Sequence, residues 1–111
     1  MKKLLLIAAV AAAIPYPANA DMPAKELKDF CQDYPQKGEA TTMCIGYIWG
    51  SFDAARALKA ACEPAGISSR RLINLAIKRL KAQPEQLKLS ATSVILDAYK
   101  SEFPCPQEPA R

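Results

Sequence analysis

The sequence predicts an all-α fold, a small four-helix domain stapled by two disulfides. Three observations carry this. Apolar residues recur at helical spacing through most of residues 24–103, no stretch shows strand alternation, and four cysteines lie among prolines and glycines that end each periodic run. There is no internal repeat.

The first element is a leader. Lys2 and Lys3 form a cationic start, Leu4 to Ile14 is an apolar run too short to span a bilayer, and Ala18-Asn19-Ala20 is a small-x-small cleavage site. Pro15 and Pro17 break the apolar stretch where a membrane anchor would have to continue. Residues 1–20 are therefore expected to be a cleaved signal peptide, and residues 21–111 a single periplasmic domain with no membrane segment. Lys2 and Lys3 leave with the leader, so the formal charge falls from +4 to +2. That balance does not suggest a nucleic-acid partner.

The first helix is expected over Ala24–Asp33, after Pro23 and before the turn-rich Asp33-Tyr34-Pro35-Gln36-Lys37-Gly38. The second runs from a cap at Thr41 or Thr42 to about Ala61, ended by Glu63-Pro64-Ala65-Gly66. At 100° per residue, Cys44, Tyr47, Ile48, Ser51, Ala55, Leu58 and Cys62 share one face, flanked by Ile45, Trp49 and Phe52. Gly46, Gly50, Ala54, Ala57 and Ala61 occupy the remaining side. A helix apolar or small nearly all round is expected at the centre, with the Gly46-x-x-x-Gly50-x-x-x-Ala54 ladder admitting another helix closely, either in the core or at a subunit interface. Asp53 beside that ladder is either a solvated or Arg56-paired carboxylate, or a buried group that fixes packing or meets a partner.

Ser68 or Ser69 caps a third helix, Arg70–Ala82, which turns Leu72, Ile73, Ala76, Ile77 and Leu80 inward. Arg71, Asn74, Lys78 and Lys81 form a basic stripe, which is either a solvated face or a contact for an acidic partner or anionic envelope polymer. Pro84 opens a fourth helix that continues to about Glu102, burying Leu87, Ala91, Val94, Ile95 and Ala98, with Leu96, Tyr99 and Phe103 widening its apolar surface.

The cysteines stand at 31, 44, 62 and 105. A four-thiolate zinc site would bring close C-x-x-C pairs, whereas 12, 17 and 42 residues intervene here, and an even count in a small exported domain reads as disulfides. If the second, third and fourth helices run up, down and up, Cys62 and Cys105 reach the same end, while Cys44 opens the second helix near the close of the first. The expected pairs are Cys31–Cys44 and Cys62–Cys105. They close loops of 14 and 44 residues, worth about 3 and about 4 kcal/mol on the loop-entropy model. The chain has no histidine, which removes His-dependent triads and the usual general base, and no cofactor or catalytic group is expected.

Four segments in order carry a family resemblance. They are Cys44-Ile45-Gly46-Tyr47-Ile48-Trp49-Gly50-Ser51-Phe52-Asp53, Cys62-Glu63-Pro64-Ala65-Gly66-Ile67-Ser68, Pro84-Glu85 and Phe103-Pro104-Cys105. They resemble the Rap/Tai immunity proteins of type VI secretion systems, with pattern C-x-G-Y-I-x-G-x-x-D, C-x-P-x-G-[VI]-[ST], H-P-E and F-P-C, over about residues 27–106. Gln83 stands where that family has the His of H-P-E, Leu87-Lys88 where it commonly has Arg-His, and the third helix lacks its Gln-x-x-Asp-Val. The resemblance implies a small helical periplasmic protein, acting as a homodimer, that binds a peptidoglycan amidase effector and obstructs its active-site cleft. A periplasmic structural or chaperone-like protein that binds envelope proteins without a toxin is the alternative, and an upstream gene for a secreted amidase would separate the two. Within either reading, Glu63, Pro64 and Gly66 in the turn and Arg71 and Lys78 on the basic stripe are the candidate partner contacts, and Gly46, Gly50 and Asp53 the candidate structural positions.

Overall fold

The computed structural model describes residues 21–106. The expected leader and its cleavage site lie outside these residues. The architecture follows the helical periodicity: α1 (Ala24–Phe30), α2 (Glu39–Ala57), α3 (Ser69–Ala82), a 3₁₀ segment at Pro84–Lys88 and α4 (Ala91–Glu102). Among the described residues the one β pairing is the single bridge between Pro23 and Ser90. There the Ala24 N–H donates to the Leu89 carbonyl at 2.9 Å and the Ala91 N–H to the Met22 carbonyl at 2.7 Å, which ties the start of the domain to the start of α4. No helix among the described residues is long and apolar enough to cross a membrane.

The core forms where one stripe of each helix converges. Leu27 of α1, Ile48 and Phe52 of α2, Leu72 and Leu80 of α3, and Val94, Ile95 and Tyr99 of α4 are all buried, with Phe103 closing one end. Tyr99 stands edge-on to both Phe52 and Phe103, with ring centroids 5.3 and 5.6 Å away. Such T-shaped pairs place positive ring edges on negative faces. Both expected disulfides are present. Cys31–Cys44 joins the end of α1 to α2, and Cys62–Cys105 joins the α2–α3 connection to the segment after α4, with Cα atoms 5.0 and 4.9 Å apart.

Four element boundaries and one packing expectation are corrected. The first helix stops at Phe30 instead of Asp33, because the Cys31 N–H shares the Leu27 and Lys28 carbonyls and the chain turns through Cys31–Pro35. The second begins at Glu39. Gly38 is its N-cap, Thr41 is buried within it, and the Thr42 hydroxyl bonds back to the Gly38 carbonyl at 3.0 Å. It ends at Ala57, four residues early, because Lys59 adopts φ 52°, the left-handed conformation that turns a helix off its axis. The Ala60 N–H then reaches the Ala55 carbonyl and the Lys59 N–H the Arg56 carbonyl, a Schellman closure built on a lysine. A side chain there costs about 1 kcal/mol that glycine would avoid, so the sequence gives no local sign of it.

The fourth helix divides. Pro84–Lys88 is 3₁₀, Leu89 is extended, and α4 starts afresh from Ser90, whose hydroxyl accepts from the Ser93 N–H at 3.2 Å. Leu87 is in consequence only half-buried. The expectation that α2 is enclosed on several sides also fails. Its buried residues are Thr41, Cys44, Ile48, Phe52 and Ala55, one stripe, and a Cβ placed at Gly46 or Gly50 would meet nothing within 4 Å.

Candidate partner-binding surface

The outer face of α2 is opposite the stripe that packs into the core. Gly46, Gly50, Asp53, Ala54 and Ala57 are exposed along it. Large apolar groups project on its margins, with Met43 47 %, Trp49 44 % and, just past the helix, Leu58 81 % exposed. The glycines leave an open groove of about 400 Å³ over Gly46, Gly50 and Ala54, walled by Tyr47 and Thr92, whose hydroxyls are hydrogen-bonded at 2.8 Å. A second hollow of about 110 Å³ shares Ser51, Ala54 and Thr92 with it and extends to Leu58, Ala60 and Leu96. A contiguous apolar face of this kind on a small charged protein is the usual mark of a contact surface. Among the described residues the ladder is therefore unfilled, and Asp53 is exposed beside it, without an Arg56 partner.

Arg56 turns instead to the α2–α3 connection. Its guanidinium grips the Glu63 carboxylate through Nε on Oε1 and through Nη2 on Oε2 at 3.0 Å, and the Tyr99 hydroxyl donates to Oε1 at 2.7 Å. The Arg56 hydrogen bond holds the Glu63 carboxyl below the usual carboxylate range, against the opposing cost of burial and with help from Tyr99. Burial, then the Glu63 hydrogen bond, pushes the Tyr99 phenol up, while Glu63 raises Arg56. Of the turn residues singled out in the sequence, Glu63 thus has both carboxylate oxygens occupied by the chain itself, whereas Pro64 and Gly66 are exposed. Gly66 carries φ +86°, which accounts for glycine at that place.

The cations of α3 are not equivalent. Arg71 donates to Glu102 at 3.2 Å with its guanidinium 5.5 Å from the Phe103 ring centroid, and Arg79 pairs with Asp97, so both are committed to α4. Among the described residues Lys78 forms no ion pair and is exposed. The structure thus separates Arg71 from Lys78 although they share a helix face. Met43, Trp49 and Leu58 are the surface residues that periodicity missed; Leu58, expected on the face of Cys44 and Ile48, stands past the end of α2 and is exposed. Trp49 lies next to the core stripe on a helical wheel, at the edge of α3, where it shares a small hollow with Leu72 and Ile73 and stays 44 % exposed.

The sequence model of one protein family, described as Rap1a immunity proteins, matches residues 23–105. No match was found among curated proteins.

Proposed function

The chain belongs to the Rap1a immunity proteins, and from that premise we propose that it is a periplasmic immunity protein of a type VI secretion system, which binds a peptidoglycan amidase effector and blocks access to its cleft. The family membership carries the immunity role, and the outer face of α2, apolar and cut back by Gly46 and Gly50 on a domain stiffened by two disulfides, supports association with another chain. A rigid scaffold presenting a preformed face loses little entropy on association, which suits a stoichiometric inhibitor. We assign the α2 face to a second copy of this chain. Two such faces related by a two-fold axis are self-complementary, and glycines let the helices approach closely.

The test is direct. The mature domain, mixed with its cognate secreted amidase, should inhibit it at near one-to-one stoichiometry with a Kd at or below about 1 nM, roughly −12 kcal/mol. Unrelated amidases should stay active. If deleting the gene causes no sensitivity to toxin-armed siblings, and no secreted wall hydrolase binds the purified domain, the immunity role is wrong.

A further inference from the structure

Of the five cations on α3, Arg70, Lys78 and Lys81 form no ion pair among the described residues, and the helix itself contains no acidic residue. Arg70 and Lys81 stand at the two ends of an open groove of about 520 Å³ between α3 and the turn after α1. Its walls and floor are Tyr34, Pro35, Asn74 and Ile77. Arg70, Asn74, Ile77 and Lys81 fall on one stripe, since spacings of four, three and four residues keep to one side of a helix. Each wall has a distinct chemistry. Ile77 and Tyr34 are apolar, Asn74 offers one amide donor and one acceptor group mid-groove, and the ends are positive with no carboxylate lining them among the described residues.

We propose that this groove takes an extended acidic segment of the partner protein, with two carboxylates spanning an apolar residue. At about 1.5 Å rise per residue Arg70 and Lys81 are about 16 Å apart along the axis, which an extended chain covers in about five residues. Flexible side chains at both ends accept acidic residues about four to six positions apart, while Asn74 meets the segment's backbone and its central apolar side chain rests on Ile77 and Tyr34. The proposal rests on the binding role above, and it moves the expected contact from Arg71, which is occupied by Glu102, to Arg70 and Lys81. It is independent of the α2 face, which leaves that face free for the second copy.

The ¹⁵N-labelled mature domain should be titrated with a capped peptide carrying two glutamates about five residues apart around a central leucine, with its glutamine analogue, and with polyphosphate. Resonances of Tyr34, Arg70, Asn74, Ile77 and Lys81 should move with the glutamate peptide and recede as salt is raised. The R70A/K81A double variant should weaken binding roughly tenfold, as expected for two exposed charge pairs, with unchanged circular dichroism, and R71A should have no such effect. Shifts confined to another face, equal binding of the glutamine peptide, or polyphosphate binding as tightly as the peptide would each overturn the proposal. The effector separates the two readings. If it binds wild type and R70E/K81E alike, the groove assignment falls and the immunity role stands. If it does not bind wild type, the immunity role falls and the peptide titration still decides the groove.

Discussion

Both faces of α2 carry large apolar side chains, and these have opposite fates. On one side Cys44, Ile48 and Phe52 are at most 2 % exposed; on the other Met43, Trp49 and Leu58 are between 44 and 81 % exposed around a floor of glycine and alanine. What differs is bulk. The inner face carries side chains that fill space between helices, and the outer one alternates large margins with a stripped centre that no element among the described residues fills. Apolar character therefore does not by itself locate a core. A stripe of small residues is equally a place where the chain has left room for something else.

The sharpest way to test that contrast is Ile48→Ala. Ile48 is fully buried beside Cys44 and Phe52, so its truncation should cost about 2 to 5 kcal/mol through lost transfer energy and an unfilled cavity. Chemical denaturation would read it. A cost near zero would mean that the inner face is no more packed than the outer.

An intermediate effect is expected at the clamp where α2 ends. Glu63→Ala removes the acceptor of the Tyr99 hydroxyl and the partner of Arg56. The part-exposed ion pair contributes below about 1 kcal/mol and the hydrogen bond to a charged acceptor about 1.5 to 3 kcal/mol, so a loss of about 2 kcal/mol is expected. Because the folded Glu63 pKa is depressed, its stabilisation is complete above the unfolded value of about 4.3 and disappears as pH falls through the folded one. Stability measured from pH 6 downward should therefore decline less steeply in Glu63→Gln, which keeps an acceptor for Tyr99 and abolishes the titration. Parallel curves would show that the carboxylate's charge adds nothing.

The smallest change in stability, and the most informative, is Gly50→Leu. With open space around its Cβ, leucine should not overpack the fold, and higher helix propensity should stabilise the monomer by up to about 1 kcal/mol. If a second copy sits on this face, sedimentation should show the variant as a monomer of unchanged helicity. A stable variant that still dimerises would place the contact elsewhere.

Much of the architecture is legible in the residues. Breakers and periodicity place all four α-helices, the buried stripe of α3 is as expected at Leu72, Ile73, Ala76, Ile77 and Leu80, and the helix order predicts both disulfides. Boundaries fail where a long-range or atypical interaction decides them. Lys59 closes α2 without a glycine, and the last helix is interrupted before Ser90 where the Ala24 N–H bonds to the Leu89 carbonyl and the Ala91 N–H to the Met22 carbonyl. The Ser90-Ala91-Thr92-Ser93 cap is a local signal that could have divided the last helix in advance. The surface is less legible. Periodicity says that a face is apolar or basic, but whether Gly50 is covered, whether Arg71 is spoken for by Glu102, and that Arg56 chooses Glu63 over Asp53 depend on neighbours distant in sequence.

The order of the disulfides along the chain bears on how the protein matures. The cysteines pair as neighbours in sequence, the first with the second and the third with the fourth, so the two covalent loops follow one another without overlap. A chain delivered N-terminus first to an oxidising catalyst presents Cys31 and Cys44 before Cys62 arrives, and Cys62 then has no remaining free thiol to meet until Cys105 emerges. Of the connectivities open to four cysteines, this is the one that oxidation in order of appearance produces by itself. Oxidation in that order closes each loop before the next begins and calls for no reshuffling of the bonds.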